Sequence, residues 1–369
     1  MTTTIASSNT QQQKEAFMER LLKSASGTFD MFTIYIGDRL GFYRALAESI
    51  GLTSPELAAR TGTQERYVRE WLEQQTVAGI LEVQNEDASP LVRRYRLPDG
   101  HIEVLTERDS LDYLTPLSYV FVGATRPLEQ LLNAYRNGGG VPYSEYGKEF
   151  REGQAGINRS MFLKQLGSEW FPAMPDVHAR LQAEPARIAD IGCGAGWSSI
   201  AIAQTYPNVQ VDGYDLDAPS VELAQINVQQ AGLSDRVRIQ QRDASDPSLR
   251  GHYDLVTAFE CIHDIGNPVA ALQTMRHLAG EDGAVLIADE RVGDRFTASG
   301  NDVEWMMYGW SVLHCLPVCM ADGGDCHCGG TGTVMRTDTL WNYAQAAGFQ
   351  DIEILPIDNF FFRFYRLYS

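Results

Sequence analysis

No run of about 18 apolar residues occurs in the 369-residue sequence, which excludes a membrane-spanning helix. The N-terminus, MTTTIASSNTQQQKEAF, has no apolar core of the kind a secretory signal needs, so the expected location is the cytoplasm. Basic residues are in the minority: Lys and Arg total 30 against 48 Asp and Glu, a formal charge of −18. Phosphate backbones repel such a chain on average, and this weighs against nucleic acid as its partner. Six cysteines are too sparse for a disulfide scaffold. Internal repeats are absent. What remains is 44% hydrophobic and 21% charged, the balance of a packed globular protein of two or three domains.

The pattern divides into three parts. Residues 1–104 read as an N-terminal helical and winged-helix domain, 105–180 as a helical connector or cap, and 181–369 as alternating strands and helices. Residues 1–14 are Thr, Ser and Gln rich and read as a frayed tail. Further on, Thr53 with Glu56 forms a capping box, and Pro55 sits in the first turn, where its missing N–H costs nothing. That short helix stops at Thr61-Gly62. Thr63 is expected to cap a second helix carrying Val68, Trp71 and Leu72 on one stripe, and Gly79 ends it. Two strands, Ile80–Gln84 and Arg94–Leu97, complete the winged-helix layout. A groove-reading helix needs an excess of Arg and Lys, whereas this one carries Glu65, Arg66, Arg69, Glu70 and Glu73. Dimerisation therefore fits the domain better than DNA recognition.

From Arg187 the alternation predicts a parallel sheet covered on both faces. Expected strands are 187–191, 209–214, 237–241, 254–258, 284–288, 352–355 and 361–367. The last follows its predecessor without a helix and hairpins back antiparallel.

Asp190-Ile-Gly-Cys-Gly-Ala-Gly196 lies between the first of these strands and a helix. Its glycines let the backbone turn sharply against a ligand. The G-x-G-x-G spacing differs from the dinucleotide fingerprint G-x-G-x-x-G. A carboxylate at Asp190 would repel pyrophosphate and suit an ammonium group. Asp215 ends the second strand, where it can accept both ribose hydroxyls. Asp243 follows the third and can take an adenine amino group. All three lie at the C-terminal edge of the sheet, where open α/β sheets bind ligands.

The ordered set D-I-G-C-G-A-G, Y-D-L-D, R-D-A and F-E-C-I-H-D resembles the class I S-adenosylmethionine-dependent methyltransferases. The resemblance implies a seven-stranded Rossmann-like sheet with an antiparallel last strand, and S-adenosylmethionine as cofactor. It implies that Gly192, Cys193 and Gly194 meet the methionine part, Asp215 and Leu216 the ribose, and Asp243 and Ala244 the adenine. Glu260 and Cys261 would wall the site near the sulfonium. Over its full length the chain resembles a bacterial group often labelled as regulators, through G-G-G-V-P-Y-S-E-Y-G and R-E-G-Q-A-G-I-N-R. It resembles the small-molecule O-methyltransferases more distantly. The first likeness implies that Tyr143 and Tyr146 cover the cofactor, and an aromatic face beside a sulfonium is physically apt.

His263, in C-I-H-D-I, is similar to the O-methyltransferase histidine that removes a substrate proton. A neutral imidazole suits that task. A role in shaping the cofactor pocket is the other reading. Asp264 or Glu290 would orient the ring, and Glu290 could instead pair with Arg291 or Arg295. The segment 302–316 contributes Trp305, Met306, Trp310 and His314, candidates to line the pocket of a small-molecule acceptor. Cys315, Cys319, Cys326 and Cys328 have the spacing C-x3-C-x6-C-x-C, tighter than the usual zinc arms. They read as incidental free thiols, and no metal site is assigned. The expected function is methyl transfer to oxygen or nitrogen of a small acceptor by a homodimer. Two alternatives are a transcriptional regulator that binds S-adenosylmethionine, and a methyltransferase that handles metals or metalloids through this cysteine cluster.

Overall fold

Helix punctuation organises the first of the two units into which the chain divides, Met1–Val122 and Gly123–Ser369. The computed structural model describes residues 2–298, 300–321 and 330–369. Both halves of the Thr53–Glu56 capping box are present at the start of helix Ser54–Thr61, and Gly62 closes it at φ 68°. Helix Glu65–Val77 buries Val68, Trp71, Leu72 and Gln75. Strands β1 (Glu82–Val83) and β2 (Tyr95–Arg96) form the wing. Both are shorter than the sequence suggests.

Two expectations are corrected here. Thr63 does not cap the second helix: Gln64 precedes its first turn, and the Thr63 hydroxyl pairs with that of Thr61 at 2.9 Å. Nor does the N-terminal segment form a frayed tail, because one helix runs from Thr2 to Arg39. Thr, Ser and Gln have only modestly lower helix propensity, and no Gly or Pro interrupts the run before Gly27.

The second unit is built on strands β3 (Ala186–Ile191), β4 (Val209–Asp215), β5 (Val237–Gln241), β6 (Leu255–Phe259), β7 (Ala284–Glu290), β8 (Asp351–Ile354) and β9 (Phe362–Tyr368). Their spatial order is β5-β4-β3-β6-β7-β9-β8. Pairings from β5 through β7 are parallel, while β9 runs against both β7 and β8. The seven expected strands and the reversed last one are all present.

Alternation along the strands feeds two cores. Ile188, Leu286 and Ala288 face one core, with Ile200, Val221 and Trp170. Ala189, Ile191, Val285 and Ile287 face the other, with Leu272, Met275 and Leu340. β7 is buried along its whole length, as expected of a central strand covered on both faces. Its last two residues, Asp289 and Glu290, are therefore acids that solvent barely reaches.

Candidate active site

Strands β3, β4, β6 and β7 end at one edge of the sheet, and the turns that follow them build the site. After β3, Gly192, Gly194 and Gly196 have φ of 65°, 51° and 80°. The turn is tied to its neighbour: the N–H groups of Gly192 and Cys193 donate to the Tyr214 carbonyl, and Gly194 N–H donates to Asp215 Oδ2 at 2.8 Å. A Cβ on Gly192 would lie 2.7 Å from Cys261 Cβ and Sγ. Gly192→Ala therefore combines a left-handed backbone with a collision, a cost of roughly 1–3 kcal/mol. The expected result is a thermal midpoint several degrees lower, read by calorimetry; an unchanged midpoint would contradict it.

Asp190 is turned inward. Its carboxylate accepts from Ser198 and Ser199 (2.6 Å each) and from Thr257 (2.9 Å), and it has no exposed surface. Burial raises its pKa, with the three hydroxyls opposing. It anchors the turn and the following helix, and it does not present a carboxylate to an ammonium group as the sequence suggests.

Asp215 remains available. Its Oδ1 takes the Asp217 N–H at 2.9 Å, and burial raises its pKa to about 6. Leu216 beside it is 55% exposed. Asp243 is exposed and accepts from Ser245 N–H at 2.7 Å, and Ala244 packs against the second core. Cys193 is buried, and Cys261 Sγ lies 3.4 Å from the Ile191 carbonyl. Glu260 has φ 53°, the one positive value among described residues other than glycine. Asn158 donates to its carboxylate at 2.5 Å, and burial raises its pKa to about 7.

His263, 1% exposed, sits among three acids. Nδ1 lies 2.6 Å from Asp289 Oδ1 and 2.9 Å from Glu290 Oε2, and Nε2 lies 3.1 Å from Asp264 Oδ1. Burial alone would strip the ring of its proton, but the three carboxylates outweigh it and raise its pKa well above the ordinary value. In turn, burial pushes Asp264 and Asp289 up, while the imidazolium holds both below the carboxylate range. Glu290 is raised, chiefly by burial. Asp264 and Glu290 thus flank the ring as the sequence suggests. Arg291 is directed to Asp358 (3.3 Å) and not to Glu290.

An aromatic wall stands on the helical side. Tyr146 is fully buried and donates to the Leu313 carbonyl at 2.9 Å. His314 lies 4.5 Å from the Tyr146 ring, 5.5 Å from Tyr143 and 3.9 Å from Phe150, on which it stacks. Burial raises the Tyr143 hydroxyl, and the charges of Asp215 and Asp217 raise it further, which ties this residue to the end of β4. His314 and Cys315 enter on a π-helical turn, Ser311–Cys315, that follows helix Asp302–Trp310. Met306 and Trp310 are half-buried, whereas Trp305 is 62% exposed and faces outward. Of the cysteine cluster, Cys315 and Cys319 are buried, and Cys326 and Cys328 lie outside the described residues.

Sequence reasoning missed Asp289, the partner nearest to His263, as well as Phe150 and Asn158. The acidic pair ending an apolar strand was the available signal for Asp289. Phe150 and Asn158, eight residues apart on one face of the helical segment, carried none that separates them from packing residues.

Two family descriptions match the chain: "Methyltransferase domain" over residues 184–323 and "Rv2258c-like winged HTH domain" over residues 30–107. A ubiquinone biosynthesis O-methyltransferase of Nitrosospira multiformis is 29% identical over 113 residues, 31% of this chain and 46% of that one. The polyketide synthase ThaQ of Burkholderia thailandensis is 28% identical over 119 residues, 32% of this chain and 6% of that one. The chain thus spans less than half the length of these curated relatives. Among solved structures, the mitomycin 7-O-methyltransferase aligns with TM-score 0.68 and 18% identity, over 97% of this chain and 99% of its own. Human N-acetylserotonin methyltransferase, in complex with S-adenosylmethionine, aligns with TM-score 0.65 and 18% identity, over 95% and 98%. At such identities the likeness is one of fold. The chain carries a methyltransferase domain behind a winged-helix domain, as the sequence motifs imply.

Proposed function

We propose that this chain, a methyltransferase domain preceded by a winged-helix domain, moves the methyl group of S-adenosylmethionine to oxygen or nitrogen of a small acceptor. The observation that carries this reading is the convergence, at one sheet edge, of a glycine turn bound to Asp215 and a buried imidazole held by Asp289. Asp215 would take the ribose hydroxyls, with Leu216 beside it. Asp243 and Ala244 would meet the adenine. Gly192, Cys193 and Gly194 would pass the methionine part, with Glu260 and Cys261 walling the sulfonium. Tyr143 and Tyr146 would cover the donor, whose positive sulfur suits aromatic faces.

The acceptor atom attacks the methyl carbon, the carbon–sulfur bond breaks, and its electron pair stays on sulfur. The acceptor's proton passes to His263, with Asp264, Asp289 and Glu290 holding the ring. The resting imidazole keeps a proton among these acids. A sulfonium brought close opposes that charge and favours the neutral, accepting ring. Met306, Trp310 and His314 line the acceptor side, and Trp305 would reach it only from the rim.

Calorimetry with S-adenosylhomocysteine tests the donor half, with one bound per chain as the expected result. A chain that ignores both this product and the methyl donor would end the proposal.

The winged-helix unit serves to pair two copies. Its basic groups are spent internally: Arg66 on Glu70 (2.5 Å), Arg69 on Glu65 (3.2 Å), Arg93 on Glu73 (2.9 Å) and Arg94 on Glu56 (2.8 Å). Phe17, Leu21 and Leu22 leave an exposed apolar stripe on helix Thr2–Arg39. Sedimentation is expected to give twice the 41.1 kDa chain mass, with no shift of DNA fragments at physiological salt. A DNA complex whose affinity falls steeply with salt would favour the regulator reading.

A further inference from the structure

The proton-accepting centre holds more donors than proton transfer needs. His263, Asp264 and Cys315 each bring one ligand atom within 4.8 Å of the others. His263 Nε2 and Asp264 Oδ1 are 3.1 Å apart. Zinc held tetrahedrally at about 2.0–2.3 Å separates its ligand atoms by roughly 3.3–3.8 Å. Small side-chain rotations therefore close this set around an ion.

The ring is already oriented for it. Asp289 takes the Nδ1 side at 2.6 Å, the arrangement by which a carboxylate orients a metal-binding histidine, so that Nε2 faces the ion once it gives up its proton. An independent observation is His314, 3% exposed, whose Nε2 has no hydrogen-bond partner among the described residues. Its Nδ1 lies 3.4 Å from Cys315 Sγ and 3.9 Å from Asp264 Oδ2. The π-helical turn that delivers His314 and Cys315 is of a kind that recurs at functional positions.

We propose that His263 Nε2, Asp264 and Cys315, with His314 at their edge, form a site for a divalent ion of the zinc class. Imidazole, thiolate and carboxylate together suit a borderline-soft ion and not the oxygen-seeking Mg²⁺ or Ca²⁺. Asp264 and ionised Cys315 cancel the ion's two charges, so the loaded site is neutral. On binding, the Cys315 thiol proton and the Nε2 proton of the resting imidazolium leave to solvent, and metal–sulfur and metal–nitrogen bonds form with no change of oxidation state. The ion occupies the lone pair that would accept the acceptor's proton, so the loaded protein is silenced and a chelator restores it. This silencing rests on the methyl-transfer reading above; the binding does not.

Cobalt(II) is the probe, titrated into the full chain after chelation. The expected result is one cobalt per chain with a sulfur-to-metal absorption band, turnover falling as the site fills, and zinc displacing the cobalt. Cys315→Ser should abolish the band and weaken binding by at least about tenfold, and the turnover this variant retains should no longer fall when zinc is added. A variant with both Cys326→Ser and Cys328→Ser should keep the band. A band that survives Cys315→Ser, or that follows the other two cysteines, overturns the site. Zinc bound with turnover unaffected overturns the silencing. A band lost with Cys315→Ser in a chain that never turns over supports the site, and the fault then lies with the methyl-transfer reading.

Discussion

His263→Gln is expected to lower turnover by roughly 100-fold or more, the scale of a lost general base, with S-adenosylhomocysteine affinity nearly unchanged. Glutamine is the sharper substitution because its amide still donates toward Asp289. Both substitutions remove the cation, but His263→Ala also leaves Asp264, Asp289 and Glu290 around a void with no hydrogen-bond donor. Removing one partner of a buried charge pair costs about 3–5 kcal/mol, so loss of activity in that variant could be loss of fold. The two measurements separate the roles of the ring. A base lost by itself lowers kcat and spares product binding. A ring that only shapes the donor pocket would lose affinity for S-adenosylhomocysteine in step with turnover, and that outcome would remove His263 from the proton path.

Asp215→Asn should weaken donor binding by about two orders of magnitude. Two ribose hydroxyls donating to a carboxylate are worth roughly 1.5–3 kcal/mol each. The amide also damages the empty site, because whichever way it turns, its NH₂ faces the Gly194 N–H or the Asp217 N–H that the carboxylate now accepts. The same residue sets a pH dependence. Burial raises its pKa to about 6 in the folded chain, against roughly 3.9 for an unperturbed Asp. Only the ionised form accepts from both ribose hydroxyls and both backbone N–H groups, so donor affinity falls as pH drops through about 6. For stability the sign is opposite: the raised pKa favours the folded state at low pH, and this contribution is lost as pH rises through about 6. Calorimetry from pH 7.5 to 5 checks the first effect. Affinity that is flat over that range in the native chain would mean that Asp215 is not the ribose acceptor.

The sheet was legible because strand ends are announced by chemistry that the strands lack. Four strands, β3, β4, β6 and β7, stop at a Gly, Asp or Glu, and period-two burial leaves little freedom of register. The placement of Asp215 and Asp243 at strand ends followed from that, whereas His263 was singled out by its likeness to the O-methyltransferase segment. Other features depend on neighbours distant in sequence. Asp190 reads as a ligand-facing acid until Thr257 on the adjacent strand and the helix hydroxyls of Ser198 and Ser199 claim its oxygens. The choice of Asp289 as the nearest partner of His263 was made by strand pleat, which sequence does not resolve for two adjacent acids. His314 and Cys315 reach the centre because a regular helix widens into a π turn, and no propensity encodes that widening. The first turns of helix Thr2–Arg39, up to Lys14, were missed because polar composition was read as a frayed tail where nothing in the run breaks a helix.

Glu260 leaves a trace that natural variation would expose. A residue with a side chain held at φ 53° costs roughly 1–3 kcal/mol, and glycine or asparagine would relieve it. A library of variants selected only for heat resistance would drift at this position toward those two residues. Its survivors would carry no carboxyl beside Asn158, trading performance for durability. The glutamate therefore marks a place where durability and performance pull apart.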